Sequence, residues 1–418
     1  MHINSMPRRV ALCLITTVSS AALPALAQPA LFDGMTQGLP VPEGGAFAPG
    51  DHIMHWGPMR LTAGISYTLQ YNDNVFYTGS NQQWDIINIP QLNLGFYLPV
   101  TDLSSLSFGI GLGYTFYARN PDLNSAVLAP NSTLTWTIPL DNVAITFYDA
   151  MVYTPSPLVQ PGLSGTGDYR TFQNTIGTRV TWSPDRWVLT GGVGYQNYFS
   201  TVSQYDYINS SSVNILALAG YKITSETQAG LQFSMSPNWF KDPARDNFIS
   251  YSVGPYVEWK PLESLTVDAG GGYVIYDFSR PAVGARDGSF GSYYINFGAT
   301  HQLTDHISHG LAFTREFNPG VYSQFSQLQL NNAVTYSPRW HFLDPATLFA
   351  TLSYEFGNNA AVGVGSTYDR WSASIGATYT VTDRLSSSLT YQFYNMESSL
   401  SFQSYKANLI TWTTTYAF

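Results

Sequence analysis

From Leu61 onward, apolar and polar residues alternate almost without interruption. Leu61, Ala63, Ile65, Tyr67, Leu69 and Tyr71 share one face of an extended segment, and Thr62, Gly64, Ser66, Thr68 and Gln70 share the other. Around 104–117, Leu106, Phe108, Ile110, Leu112, Tyr114 and Phe116 oppose Ser105, Ser107, Gly109, Gly111, Gly113 and Thr115. At 371–381, Trp371, Ala373, Ile375, Ala377, Tyr379 and Val381 oppose Ser372, Ser374, Gly376, Thr378 and Thr380. Near 385–394, Leu385, Leu389, Tyr391 and Phe393 oppose Ser386, Ser388, Thr390 and Gln392. A period of two is that of a β-strand, whose successive side chains point to opposite faces. Runs of about ten such residues match the length of a tilted strand crossing a bilayer.

The connections alternate in length. Short turns are predicted at 139–142, 183–186, 224–226, 260–263, 304–306 and 382–384, each containing two or more of Pro, Asp, Asn, Ser, Thr and Glu. Longer segments lie between them, at 72–83, 153–169, 240–247, 279–289 and 357–369. Short periplasmic turns and longer outer loops are the asymmetry of an outer-membrane barrel. The predicted fold is therefore all-β: a transmembrane antiparallel up-and-down β-barrel over 61–418, of about 18 strands, with 16 the nearest alternative. An even count places both ends on the periplasmic side. The final segment, Thr411 to Phe418, is itself an alternating strand, and closing the sheet on itself removes the edge it would otherwise expose.

Composition agrees. Charged residues are 11% and aromatics 15% of the 418 residues, yet the mean hydropathy is only -0.07. A helical membrane protein needs runs of roughly 18 apolar residues, and none follows the N-terminus. A soluble sandwich or propeller would also alternate. Here, however, aromatics gather near segment ends, as in Tyr67/Tyr71, Tyr114/Phe116, Tyr251/Tyr256 and Tyr391/Phe393, where amphipathic rings suit the lipid–water boundary.

The first 27 residues read as a signal peptide: Arg8-Arg9, an apolar run from Val10 to Ala22, then the small-residue site Ala25-Leu26-Ala27. Its removal takes the net charge from -9 to -11, because the segment holds two arginines and no acidic residue. It also removes Cys13, the single cysteine, so no disulfide or thiolate chemistry is expected. So acidic a chain is a poor partner for nucleic acid. Residues 28–60, rich in Pro and Gly, are expected to form an irregular extension or a plug. The expected location is the bacterial outer membrane. The expected partners are its lipid and lipopolysaccharide and the barrel-assembly machinery, with oligomeric state left open.

Two stretches resemble known families. Thr411 to Phe418 is similar to the outer-membrane assembly signal, with large residues at Tyr416 and Phe418, although Thr413 stands where Gly is favoured. Tyr67 to Phe76, containing Tyr71-Asn72-Asp73-Asn74-Val75, followed by Trp84 to Pro90, resembles the outer-membrane β-barrel porin type 2 family. That resemblance implies a barrel with a pore and an association with exopolysaccharide export. It implies no catalytic residue.

Parity identifies the candidate lumen residues. Arg179, Glu258, Asp268, Glu316 and Glu355 each share a face with Ser, Thr or Gly or oppose apolar neighbours. Turned to lipid at the midplane, a cation would cost about 2–4 kcal/mol and an acid somewhat less, so the lumen is their expected place. A mostly acidic set gives a mild cation preference if the lumen is open. Arg315 and Asp277 break parity near outer strand ends. Tyr117, Tyr198, Tyr276 and Tyr294 face the lumen, either as a sugar-stacking track or as space-filling. Asn72-Asp73-Asn74 reads as a turn in preference to a calcium site. The spacings His52/His55 and His306/His309 do not converge on a strand, and His301 and His309 read as interfacial residues. No metal site, cofactor or enzymatic centre is expected. The functional expectation is a porin-like passive channel for a small or saccharide-like solute. The alternative is a non-conducting accessory barrel in exopolysaccharide secretion.

Overall fold

The computed structural model describes residues 54–160, 163–279, 288–320, 326–361 and 366–418. The predicted signal peptide and most of the predicted extension lie outside them. Nineteen described strands form one antiparallel sheet. The first nine are β1 (Met54–Trp56), β2 (Met59–Asn72), β3 (Asp85–Pro99), β4 (Ser105–Tyr117), β5 (Ser125–Leu140), β6 (Val143–Thr154), β7 (Thr171–Trp182), β8 (Trp187–Ser200) and β9 (Ser210–Lys222). Then follow β10 (Thr227–Phe240), β11 (Phe248–Leu262), β12 (Leu265–Phe278), β13 (Ser289–Gln302) and β14 (Ile307–Pro319). The last five are β15 (Ser326–Leu343), β16 (Ala346–Ala361), β17 (Ser366–Thr382), β18 (Leu385–Ser398) and β19 (Tyr405–Ala417).

Strands β2 to β19 close an 18-strand barrel, each paired with its sequence neighbours. The ring is completed by β19 on β2, in register from Leu409↔Asn72 to Ala417↔Gly64. This is the predicted architecture with its larger strand count. One local expectation differs. Residues 54–60 are regular, because β1 folds back on the start of β2 through a turn in which Gly57 adopts φ +60, a conformation that glycine takes without steric cost.

Alternation decides which side chains meet lipid. Ile375 is 61% exposed, and Leu231, Val253, Leu352 and Leu389 are also exposed, all on the outer face. Their register partners' neighbours one position away, such as Ser374 and Gln232, are buried on the inner face. An apolar belt around a whole closed sheet has no counterpart on monomeric soluble proteins, which rarely expose patches above a few hundred Å². Closure leaves no open sheet edge facing the hydrocarbon, and a barrel of this kind belongs to the bacterial outer membrane. The inner wall is knitted by cross-strand hydroxyl pairs: Thr68–Thr413 at 2.9 Å, Ser234–Ser252 at 2.7 Å and Thr335–Ser353 at 3.2 Å. At Gly254 and Gly272, on facing positions of β11 and β12, a Cβ would collide with the neighbouring strand's backbone, so the close approach there requires glycine.

Asn72-Asp73-Asn74 does form a turn: the Asn72 Oδ1 accepts from the Asn74 N–H at 2.9 Å. Its other side chains lock the outer end of the barrel's closing seam. The Asp73 carboxylate accepts from the Asn408 backbone N–H at 2.7 Å and from its Nδ2 at 2.6 Å. Asn74 Nδ2 donates to the Lys406 carbonyl at 2.8 Å.

Candidate pore and its constriction

The connection between β6 and β7, described at 155–160 and 163–170, leaves the wall and crosses the barrel. It begins with a short 3-10 turn at Pro157–Val159, whose N-cap Ser156 accepts from the Leu158 N–H at 3.4 Å. Leu158 then packs into a buried cluster with Tyr368, Tyr394, Met396, Tyr405, Ala407 and Leu409. Those residues lie on the inner face of β17, β18 and β19. By the shorter way round the ring, seven strand steps of eighteen separate β6 from β17, so the segment runs as a chord across the lumen rather than along the wall.

Arg370 fixes that chord to the far wall. Its Nη1 donates to the Leu158 carbonyl at 3.0 Å. Its Nη2 donates to both oxygens of Glu355, at 2.7 and 2.8 Å. Glu355 and Arg370 are register partners on β16 and β17, and both are nearly inaccessible, at 4% and 2%. The ion pair thus spends its charge internally and presents a carbonyl-directed donor to the loop. Buried charges require such pairing, since an uncompensated one carries a heavy desolvation cost.

The returning half of the loop is held as well. The Gly165 N–H donates to the Tyr77 carbonyl at 3.0 Å, and Tyr77 receives the Asn72 Nδ2 on its hydroxyl at 3.1 Å. Tyr169 has no accessible surface. It shares a hydrogen bond with the Tyr198 hydroxyl at 2.9 Å and stands edge-on to Tyr205 at 5.1 Å. Burial pushes the Tyr169 hydroxyl well above its ordinary value, so it stays neutral in any physiological medium. Beside it, Arg170 and Asp168 form a bidentate pair at 2.6 Å that is a quarter exposed.

A second inward contact comes from 241–247. Arg245 donates from Nη1 to the Gly320 carbonyl at 2.7 Å and stacks over Phe240 at 4.1 Å. Desolvation lowers its guanidinium to about 10, against the opposing pull of Tyr207 and Asp242, which leaves it a cation at neutral pH.

All five sequence-chosen lumen residues face inward, but they do not form one group. Arg179 lies on β7 and is half-buried, on the same face as Thr175 and Thr181. Glu258 and Asp268 are register partners on β11 and β12, near the short-turn end. Glu316 is 2% exposed and accepts from Asn318 Nδ2 at 3.0 Å. Glu355 is neutralised by Arg370. The parity-breaking Arg315 points outward, donating to Asn332 at 2.9 Å and stacking on Tyr293 at 4.1 Å. Tyr276 and Tyr294 belong to a buried cluster with Phe248 and Leu328, and Tyr198 and Tyr117 pack on two others. The four rings fill space and do not form a continuous track. Tyr416 and Phe418 stand edge to face at 5.3 Å, and the Phe418 N–H donates to the Ala63 carbonyl at 3.0 Å.

Sequence reasoning missed Arg370 and the inward path of 155–170. Parity contained the first: two steps back from Ser374 and Ser372 lands on Arg370. The second left only a weak signal, apolar Leu158 and Leu163 in a segment otherwise typical of a surface loop. Among the described residues no three His, Cys, Asp or Glu side chains lie close enough together to hold a metal ion. A groove of about 630 Å³ opens on the outer face, lined by Ile65, Tyr67, Pro90, Leu92 and Tyr114, so it faces lipid and not a solute path.

No protein-family model matches the chain, and no curated protein does. Solved structures with a similar arrangement include three Pseudomonas aeruginosa proteins. OpdL has a TM-score of 0.49 at 12% identity, over 86% of this chain and 98% of that one. The outer membrane protein OpdK has 0.48 at 12%, over 86% and 98%. OccK2 (OpdF), in complex with glucuronate, has 0.49 at 10%, again over 86% and 98%. At such identities and TM-scores no residue role or solute passes to this chain, and the barrel rests on its own strand pairing.

Proposed function

We propose that the protein is a passive outer-membrane channel whose aperture is set by the 155–170 chord. The observation that carries this reading is the Arg370–Leu158 bond, which ties a loop from one wall to the opposite wall inside a polar-lined barrel. Selection is by size and by the charge of the wall, where the Glu258–Asp268 register pair favours cations and neutral solutes over anions. Ser, Thr, Asn and Gln along the wall suit a small or saccharide-like solute, in keeping with the resemblance over Tyr67–Phe76 and Trp84–Pro90. No covalent chemistry and no energy input are involved.

Single-channel recording of the purified protein in a planar bilayer tests this directly. Stepwise conductance with a small cation preference is expected, and complete absence of steps refutes the open channel. A second reading, a non-conducting accessory barrel in exopolysaccharide secretion, draws support from the buried clusters that fill the outer half of the lumen. For that reading, deletion of residues 28–53 either raises conductance from zero, if they act as a plug, or abolishes polymer export with conductance unchanged.

A further inference from the structure

Two histidines meet on the outer face near the short-turn end. His301 on β13 and His309 on β14 are register partners, brought together across the 303–306 turn. The His301 Nδ1 and the His309 Nε2 lie 3.1 Å apart, with the rings 5.2 Å between centroids and inclined by 55°. Tyr336 on β15 stands edge-on to His309 at 5.8 Å and limits how that ring can rotate. The pair sits at the level of exposed Trp340 and Phe342, the aromatic band that marks the periplasmic lipid–water boundary.

We propose that His301 and His309 form a two-imidazole chelate for a divalent first-row transition metal, Cu(II) before the others. Imidazole nitrogens bind such metals at about 2.0–2.1 Å. Two nitrogens 3.1 Å apart then subtend about 95–102° at a metal placed between them. That angle suits two adjacent positions of a tetragonal site, the geometry of Cu(II) and Ni(II), and falls short of the tetrahedral angle that Zn(II) takes. Between Cu(II) and Ni(II), the general affinity order places Cu(II) first. Each ring keeps one hydrogen on the nitrogen turned away, so binding needs a tautomer shift in one ring and no proton release. Water and the phosphate oxygens of neighbouring headgroups are at hand for the remaining positions. A metal there staples β13 to β14 beside their turn. The arrangement differs from the H-x-x-H spacings in the sequence, because it uses a cross-strand register that spacing does not reveal.

The test uses the full mature barrel carrying a histidine-free tag, titrated with Cu(II) and followed by electron paramagnetic resonance and calorimetry. One Cu(II) per barrel with a two-nitrogen signature is expected. His301→Gln and His309→Gln should each weaken it by on the order of 100-fold, the advantage of making a second ligand intramolecular. His306→Gln, in the adjacent turn, should leave affinity unchanged. Unaltered heat-modifiable gel mobility certifies that each variant is folded. No binding by the wild-type barrel, or binding that survives both His301→Gln and His309→Gln, overturns the proposal.

Discussion

Replacing Arg370 should free the crossing loop while the barrel stays intact. Arg370 makes three hydrogen bonds, two to Glu355 and one to the Leu158 carbonyl. Arg370→Met alone strands a buried carboxylate, a loss of about 3–5 kcal/mol that risks the fold itself. The double variant Glu355→Gln with Arg370→Met removes that strain and isolates the loop contact. A hydrogen bond to a charged donor contributes about 1.5–3 kcal/mol. Its loss shifts the ratio of docked to undocked loop by about 10- to 100-fold, at about 1.4 kcal/mol per factor of ten. Glu355→Gln alone keeps the Leu158 bond and serves as the control. The double variant should show larger or noisier single-channel steps, and faster proteolysis within 155–170, than both the wild type and the Glu355→Gln barrel. Identical conductance and identical cleavage rates in all three, with gel mobility confirming insertion, would refute the role given to Arg370.

Neutralising the register pair, Glu258→Gln with Asp268→Asn, should lower the cation-to-anion permeability ratio, read as a shift of reversal potential in a salt gradient. An unchanged potential removes these carboxylates from the selectivity argument. Tyr169→Ala should loosen the loop by about 3–5 kcal/mol of lost packing, whereas Tyr169→Phe, which loses only a hydroxyl bond, should cost about 1 kcal/mol. Limited proteolysis ranks the two, and equal cleavage rates count against the buried anchor. Deleting Phe418 removes its bond to Ala63 and its contact with Tyr416. Yield of heat-modifiable barrel should fall, while the channels that do insert conduct normally.

Strand identity and facing were legible because one physical rule governs every strand. Lipid outside and polar wall inside make parity a guide to facing, so Glu258, Asp268 and Glu316 could be assigned to the inner face without any contact being known. Partnership was not legible in the same way. Whether Glu355 carries a net charge into the lumen depends on Arg370, and Arg370 becomes its neighbour only through the β16–β17 register. The chord was hidden for a related reason. Leu158 is held by residues more than 200 positions later in the chain, and no local periodicity encodes such a contact. His301 and His309 show the same limit, since eight residues separate them in sequence and a turn brings them together.

The seam between β19 and β2 fixes an order of events. Thr68 and Thr413 are 345 residues apart, and Gln70 and Thr411 are 341 apart, so these bonds cannot form until the last strand exists. Bringing free ends together over such a length is entropically costly, but each hairpin completed beforehand shortens the effective gap. Closure is thus the final step of a row of local ones. Until it happens, both β2 and β19 present unpaired backbone, the condition under which chains pair with one another. Asp73 and Asn74, which grip Asn408 and Lys406, then act as a clasp at the outer end. Mutations in that clasp should lengthen the time the barrel spends open more than they weaken the finished one.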